Sequence, residues 1–293
     1  MASLKSAMTE PAVGLAYSGL VSSFVKEHRG SADYVEIPFE LLRHDPSVMG
    51  VKQCVPIVLH CATLSIAGNV KCPDSTIEQI ARCALETKTP WIGEHLAFVT
   101  ANRLEAGSDG DSYAPGEPYN IGYTVSPPMN KRIVDAVSSA IKFYQQRMPV
   151  PLLIENSPLY FHVPGSEMPQ SAFVSQICAN TNVGLLLDLA HLFISSRNMK
   201  FDAAQELLKF PLERVVEVHI SGVDCAQQDA WDDHARAAPD GVYQLLESAL
   251  ERVTPRAITL EYNWSSRFSE SALLSELKRV RDVISRARLR NVS

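Results

Sequence analysis

The feature that most constrains the fold of this chain is a series of short apolar runs, separated by stretches with helical spacing. Near-continuous apolar runs of this length are typical of strands buried on both faces, as in parallel sheets. The eight runs span residues 13–17, 34–37, 55–59, 91–98, 152–154, 183–187, 215–220 and 257–260. The predicted helices span residues 20–28, 39–45, 75–87, 129–147, 170–180, 203–210, 242–253 and 269–286.

This alternation predicts an α/β protein that folds as a single (β/α)8 TIM barrel over residues 1–293, with its core in residues 10–290. An open doubly wound sheet is the alternative. No G-x-G-x-x-G turn follows the first run, which disfavours a nucleotide-binding version of that sheet. Ser75, three residues before Glu78, and Ser269 are predicted to cap helices. Residues 101–128 are irregular and rich in Gly, Ser, Pro and Asp, and we interpret them as a lid loop at the active-site end.

Composition narrows the class of partner and the compartment. The formal charge of −6 disfavours a nucleic-acid partner, which would require a basic face. No apolar run reaches the roughly 18–20 residues that cross a bilayer, and no secretory signal is visible at the start. The six cysteines contain no C-x-x-C pair, which predicts free thiols in a reducing cytoplasm.

Acidic residues and histidines stand at the ends of seven of the eight predicted strands. In a barrel the carboxyl ends of all strands open at one mouth, where active sites of this fold lie. The strand-end residues are Glu36, His60, His95, Glu155, Asp188, His219 and Glu261. His191 follows the sixth strand, and Asp232 and His234 follow the seventh.

This set predicts a metal centre. Bringing Glu155, Asp188, Asp232 and Glu261 together would crowd four negative charges, and no Lys or Arg stands at these strand ends. Imidazoles beside carboxylates are common ligands of cations. Nine candidates, with Glu36 left out, exceed the roughly four to six ligands of one ion, so two or three ions fit better. Asp232 and His234 lie two residues apart, and an extended backbone would point both the same way.

Each residue also has an ordinary structural explanation. A single histidine at a strand end is more often part of a hydrogen-bonded core, and an acidic residue after a strand is often a helix cap. Glu36 could pair with a buried donor instead of a metal. His28, His44, His162 and Cys225 fall outside the pattern and are predicted to be structural or surface residues. The coincidence at so many strand ends favours the metal interpretation.

The motifs around these positions resemble those of the DUF692 family (UPF0276), the multinuclear non-heme iron-dependent oxidases. Its members include the methanobactin-biosynthesis oxidase and the enzyme that excises a carbon during 3-thiaglutamate formation. The matching stretches run in family order: Val58-Leu59-His60, Gly93-Glu94-His95, Leu153-Ile154-Glu155-Asn156, Leu187-Asp188-Leu189-Ala190-His191, Glu217-Val218-His219, Asp232-Asp233-His234 and Leu260-Glu261-Tyr262-Asn263. Many members carry Asn-Asn where Ala190-His191 stands, Thr at Asp233 and an acidic residue at Asn263.

The resemblance implies a TIM barrel that holds two or three irons, mixed Fe(II) and Fe(III), and uses O2 as co-substrate. It implies that iron binds a substrate cysteine as thiolate and that hydrogen is removed from the cysteine β-carbon. The substrate would be a precursor peptide of natural-product biosynthesis, on its own or on a carrier peptide, presented by a separate partner protein. The implied ligands are His60, His95, Glu155, Asp188, His191, His219, Asp232, His234 and Glu261, with catalytic roles for Glu155, Asp188 and His234.

Two other classes remain open at this point. A redox-inert metal barrel, such as a zinc phosphodiesterase or a sugar isomerase, would share the fold and the His, Glu and Asp mouth. A non-catalytic barrel that binds peptides would not need nine converging ligands. The order of the motifs favours the oxidase.

Overall fold

The computed structural model describes residues 10–102, 117–226, 228–263 and 269–292. In chain order its elements are β1 (Ala12–Ala16), α1 (Val21–Glu27), β2 (Tyr34–Pro38), α2 (Phe39–His44), a 3-10 helix (Pro46–Gln53), β3 (Ile57–Cys61), α3 (Asp74–Thr87), β4 (Ile92–His95), β5 (Phe98–Asn102), β6 (Pro118–Val125), α4 (Lys131–Gln145), β7 (Leu152–Glu155), α5 (Gln170–Thr181), β8 (Gly184–Asp188), α6 (Leu189–Met199), α7 (Ala203–Leu207), a 3-10 helix (Leu212–Arg214), β9 (Val215–Ser221), β10 (Val223–Asp224), β11 (Trp231–Asp232), α8 (Asp240–Leu250), β12 (Ala257–Glu261) and α9 (Glu270–Val292).

Eight parallel strands close into a barrel in the order β1, β2, β3, β4, β7, β8, β9, β12, and β12 pairs with β1. The predicted (β/α)8 fold is therefore confirmed, and each predicted apolar run contributes one barrel strand. Each run forms a strand because its residues are buried on both faces, inside the barrel and beneath the helices.

The barrel interior and the layer beneath the helices form separate apolar clusters. The interior cluster contains Tyr34, Val58, Leu153 and Leu186. Alternate residues of a strand face the same side, so each of these side chains lies one layer below the polar residue two positions later on its strand. The layer of the interior below the polar carboxyl ends of the strands is therefore mostly apolar, although it also holds the buried side chains of Glu217 and Thr259, and we call this layer the plug.

Two 3-10 helices and the antiparallel β10–β11 pair were not predicted, and the structure differs from the sequence predictions in three further places. Helix α6 was not predicted, because it follows β8 directly without a turn and continues an apolar sequence. Pro73, not Ser75, is the N-cap of α3. The segment 101–128, predicted to be irregular, contains the end of β5 and all of β6, which pair as an antiparallel hairpin. Residues 103–116 of that segment lie outside the described residues.

No helix in the described part of the chain is both long enough and apolar enough to cross a membrane.

Candidate metal centre

The nine predicted ligands converge at the carboxyl-terminal mouth of the barrel. Six lie on barrel strands: His60 on β3, His95 on β4, Glu155 on β7, Asp188 on β8, His219 on β9 and Glu261 on β12. The other three lie just beyond them: His191 in the first turn of α6, Asp232 on β11 and His234 two residues later. Distances between their side-chain atoms divide the nine into three groups.

The first group contains His60, His95 and Glu155. His60 Nε2 lies 3.3 Å from Glu155 Oε2, and His95 Nε2 lies 3.5 Å from the same oxygen. His60 Nε2 and His95 Nδ1 are 3.1 Å apart. One ion could reach an atom of each residue, because one such atom from each lies within 4.8 Å of the others.

The second group contains Glu155, Asp188, His219 and Glu261, which also offer atoms within 4.8 Å of one another. His219 Nδ1 lies 3.5 Å from Glu261 Oε2 and 3.7 Å from Glu155 Oε1. Glu155 thus presents one carboxylate oxygen to each of the first two groups. This bridging position is the one a carboxylate takes between two cations.

The third group contains His191, Asp232 and His234. Asp232 Oδ2 lies 2.9 Å from His234 Nε2 and 3.3 Å from His191 Nε2. The predicted reason for the pairing of Asp232 with His234 is wrong, because the backbone between them is not extended. His234 adopts a left-handed φ of 50°, and this turn brings its ring back to Asp232. Ser221 Oγ donates to Asp232 Oδ1 at 3.1 Å and holds the other oxygen.

Hydrogen bonds behind the ligands orient them. His191 Nδ1 lies 2.8 Å from the carbonyl oxygen of Asn156, which can only accept, so Nδ1 carries the proton and Nε2 is left to bind a cation. The Asn156 amide also donates to the Asp188 carbonyl and accepts from the Asp188 amide, each at 2.9 Å. Asp188 Oδ1 caps α6 by accepting from the His191 amide at 2.6 Å. The helix-cap explanation thus holds for one oxygen of Asp188 and leaves the other free.

The residues present fit bound cations. Within the described residues, five buried atoms that face the cluster form no hydrogen bond: both oxygens of Glu155, Asp188 Oδ2, His219 Nδ1 and Glu261 Oε2. Buried polar atoms without partners cost roughly 1–3 kcal/mol each, and native proteins keep few of them. Carboxylate and imidazole atoms left in this way are the donor set that transition metals prefer.

The pKa values of the predicted ligands also indicate that the mouth could bind cations. Burial raises the pKa of Asp188 to about 8, and Glu261 and Glu155 raise it too, although His191 opposes the shift. Burial lowers the pKa of His60, but Glu36 and Glu155 outweigh it and raise that pKa to about 10. Burial raises the pKa of Glu155, but His95 and His60 outweigh it and lower that pKa to about 2. In the metal-free protein, bound protons therefore offset part of the negative charge of the crowded carboxylates. Bound cations could offset this charge in place of the protons.

Sequence reasoning missed one residue that shapes the first group. Gly93 on β4 faces His60, and a Cβ at this position would lie 2.6 Å from His60 Nδ1 and 2.9 Å from Leu186 Cδ1. Glycine therefore makes the room for the His60 ring. The only signal in the sequence was a glycine inside an apolar strand, where it marks a close approach.

The remaining histidines and Cys225 lie outside the three groups. His28 pairs with Glu270 on the surface, and these two residues with Glu27 form an exposed cluster away from the mouth. Cys225 is exposed, and Cys61, beside His60, turns its sulfur toward Glu40. Neither thiol is among the clustered ligand atoms of the described residues, so these atoms come from imidazoles and carboxylates alone.

Comparisons with known proteins agree with the motif order. A family model described as "RiPP precursor modification enzyme MbnB/TglH/ChrH" matches residues 12–285. A UPF0276 protein of Caulobacter vibrioides is 25% identical over 244 residues, which are 82% of each chain. A UPF0276 protein of Streptomyces avermitilis is 28% identical over 235 residues, which are 80% of this chain and 46% of that protein. The chain thus spans less than half the length of the Streptomyces relative.

A solved structure of a xylose isomerase domain containing protein from Salmonella typhimurium superposes with a TM-score of 0.60 and 17% identity. It covers 94% of this chain and 97% of that chain. At this identity the likeness shows the barrel fold alone.

Proposed function

Because the chain belongs to the MbnB/TglH/ChrH family of RiPP precursor modification enzymes, we propose that it is a multinuclear iron-dependent oxidase. In this proposal it uses O2 to modify a cysteine residue of a ribosomally made precursor peptide. The observation that carries the proposal is a cluster in which several buried side-chain atoms lack hydrogen bonds. Six of the side chains form two groups that share Glu155, and His191, Asp232 and His234 adjoin them, which makes nine. That number exceeds one coordination sphere, which supports two or three ions and not one.

Three side chains are proposed as catalytic because each joins neighbouring groups. Glu155 divides its two oxygens between the first and second groups. Asp188 Oδ2 belongs to the second group and lies 3.5 Å from His191 Nδ1 of the third group, while Oδ1 caps α6. His234 Nε2 lies between Asp232 of the third group and Glu261 of the second, 2.9 and 3.6 Å away. When bound, two or three irons in mixed Fe(II) and Fe(III) states would supply redox chemistry with O2 and a position for a thiolate.

The cluster is best suited to a thiol that comes from the substrate. The clustered ligand atoms include no protein sulfur in the described residues, so a thiolate position is left to an external cysteine. His95, Glu261, Asp232 and His234 lie on the solvent side of the cluster, whereas the other ligands are buried. A cysteine side chain would therefore approach the exposed edge.

Exposed aromatic side chains in the connections that follow the carboxyl ends of β4, β7 and β9 support a peptide-sized substrate. Tyr123 on β6 is 69% exposed, Phe161 after β7 is 61% exposed, and Trp231 on β11 is 47% exposed. Trp231 stacks on Tyr160 with ring centroids 4.5 Å apart. Large apolar side chains exposed beside a site are typical of surfaces that bind partners. We propose that a separate protein presents the substrate peptide to this surface. The substrate peptide would be either free or attached to a carrier peptide.

Metal analysis tests the iron centre. We expect protein purified without oxygen to hold more than one iron per chain, and Mössbauer spectroscopy to report Fe(II) beside Fe(III). A single stoichiometric zinc with no iron-dependent activity would refute the oxidase and favour a redox-inert hydrolase or isomerase.

Turnover assays test the chemistry. The reaction should consume O2, and a substrate peptide with Ser in place of Cys should stay unmodified, because a hydroxyl is a far weaker metal ligand than a thiol at neutral pH. Turnover of the Ser peptide, or undiminished turnover without O2, would exclude this mechanism. The 101–128 segment, proposed as a lid, should become protected from proteolysis when the peptide binds.

Glu155→Ala and Glu261→Ala test the ligands. Each should abolish activity and lower the iron content while the circular dichroism of the barrel is retained. Glu206→Ala is the matched control, since Glu206 is also buried but binds Ser171 and Lys209 outside the mouth. Unfolding of the Glu155 variant with a folded control would assign Glu155 a structural role.

A further inference from the structure

One further buried carboxylate, that of Glu36, lies behind two of the nine ligands. Glu36 on β2 is 3% exposed. Its Oε2 lies 3.1 Å from His219 Nε2 in a hydrogen bond, and its Oε1 lies 3.3 Å from His60 Nδ1. At 3.3 Å the contact with His60 is close but is not aligned as a hydrogen bond. One carboxylate therefore faces two imidazoles on different strands.

Each of these imidazoles presents its other nitrogen to the cluster. His60 Nε2 lies 3.3 Å from Glu155 Oε2, and His219 Nδ1 lies 3.5 Å from Glu261 Oε2. A neutral imidazole carries one N–H and one lone pair, and the hydrogen bond made by one nitrogen determines which atom is free to bind metal. An ionised carboxylate can only accept hydrogen bonds.

We propose that Glu36 is a positioning residue that determines the tautomers of His60 and His219. His60 is protonated at Nδ1 and binds metal through Nε2, whereas His219 is protonated at Nε2 and binds metal through Nδ1. Carboxylates that hold metal-binding histidines in this way fix ring orientation and increase the basicity of the ligand nitrogen. The inference rests on the metal centre of the proposed function, but it does not depend on which metal or reaction the centre uses.

Side chains of the plug hold the Glu36 carboxylate in place. Thr259 Oγ1 lies 3.3 Å from Glu36 Oε2 and 2.7 Å from Glu217 Oε1. Glu217 also accepts from Trp91 Nε1 at 2.6 Å and from the Tyr34 hydroxyl at 3.3 Å. This network connects the aromatic side chains of the plug to Glu36, so the plug limits the orientations that the carboxylate can take.

Glu36, His60 and His219 also offer atoms within 4.8 Å of one another, so they could themselves hold an ion. That arrangement would use His60 Nδ1 and His219 Nε2, the nitrogens opposite to those that face the main cluster. Both rings would then bridge two cations as imidazolates. A hydrogen-bonding role for Glu36 needs no such deprotonation, and the two arrangements predict different metal-bound nitrogens.

The substitution Glu36→Gln keeps the size of the side chain but removes its charge and one of its two acceptor oxygens. A Gln amide keeps one acceptor oxygen and replaces the other with an NH2 donor. It can accept from only one of the two imidazoles, and the other ring must turn a lone pair toward the amide. That ring then carries its proton on the cluster side and is lost as a ligand. We expect zinc affinity to fall by about 10–100-fold, the usual cost of losing such a partner.

The test uses the full chain labelled with ¹⁵N-histidine and loaded with Zn²⁺, which is diamagnetic and inactive in redox chemistry. Long-range ¹H–¹⁵N spectra report which nitrogen of each ring carries a proton and which binds metal. In the wild type we expect Nδ1–H on His60 and Nε2–H on His219. In Glu36→Gln one of the two rings should change tautomer. Glu276→Gln is the control, since Glu276 is also buried and accepts from two donors, Tyr243 and Ala238, outside the barrel interior.

Metal bound at His60 Nδ1 or His219 Nε2 in the wild type would make Glu36 a direct ligand and overturn the proposal. Wild-type zinc affinity together with unchanged tautomers in Glu36→Gln would overturn it as well. The wild-type spectra can overturn the proposal even if the variant fails to fold. Failure of the oxidase assays with the expected tautomers intact would instead refute only the proposed reaction.

Discussion

At the scale of single residues, the space behind a ligand decides whether its ring can reach the cluster. The tightest example is Gly93, which faces the His60 ring across β3 and β4. His60 in turn contributes to the first group through Nε2. A residue with no side chain therefore controls a ligand on the neighbouring strand.

We predict that Gly93→Ala removes His60 from the cluster. The added methyl would overlap the His60 ring and Leu186, and overpacking of this kind costs about 1–3 kcal/mol. The variant should stay folded but bind less metal, as measured by plasma mass spectrometry and thermal unfolding. Gly50→Ala is the control, because a Cβ there meets no atom within 4 Å. An unchanged metal content in Gly93→Ala would contradict the prediction.

Asp188 combines a helix cap with a ligand, and two substitutions separate these roles. Asn keeps an oxygen that can accept from the His191 amide but cannot ionise, so Asp188→Asn should lose metal with little loss of stability. The substitution Asp188→Ala removes the cap as well, so it should lower the free energy of unfolding by about a further 0.5–2 kcal/mol. Urea unfolding of both variants, measured without metal, gives this difference. Equal stability of the two would show that the cap contributes nothing.

At the scale of elements, helix α6 connects the loops that carry the ligands. Its Asn198 donates to the Leu159 carbonyl in the loop after β7 and to the Ala230 carbonyl before β11, at 3.2 and 3.0 Å. Asn198 Oδ1 also accepts from the Ala230 amide at 2.8 Å. Ala230 lies two residues before Asp232, so this side chain holds the third group in position.

Asn198→Ala should therefore weaken the third group more than the other two. It removes three hydrogen bonds of about 1 kcal/mol each and leaves the Ala230 amide without its partner. We expect a loss of roughly 1–3 kcal/mol in stability and a lower metal stoichiometry, measured by denaturant unfolding and metal analysis. Asn180→Ala is the control, since Asn180 makes one 3.4 Å bond to Ser138 away from the mouth. Full metal loading of the Asn198 variant would show that α6 does not hold this group.

At the scale of the whole molecule, predicted ligands at the mouth hold protons that a bound cation would have to displace. With pKa values of about 8 for Asp188 and about 10 for His60, both groups hold a proton at pH 7 in the metal-free protein. A cation must displace these protons, so its affinity is highest above these pKa values and falls as the pH falls.

We predict that metal affinity rises with pH up to about pH 10, most steeply below about pH 8, and that binding releases protons. Titration calorimetry with Zn²⁺ in buffers of different ionisation enthalpy would count the protons at each pH. The metal-free protein treated with chelator is the reference. Affinity that does not change with pH would mean that these two groups are not ligands.

The sequence by itself determined the barrel and the set of candidate ligands. Strands buried on both faces must be nearly continuous apolar runs, which is why all eight were recognisable. Parallel strands also end at one face of a barrel, so polar residues at strand ends must share a mouth. Both inferences need only the local pattern of apolar and polar residues and the common direction of the parallel strands.

Only the tertiary structure decided how the ligands divide into groups and what lies behind them. Glu36 and His219 are 183 residues apart, and the closure of the barrel places them 3.1 Å from each other. The space left by Gly93 and the left-handed turn at His234 depend on neighbours and on backbone angles that no local pattern encodes. Register between distant strands sets these distances, and register follows from the packing of the closed barrel as a whole.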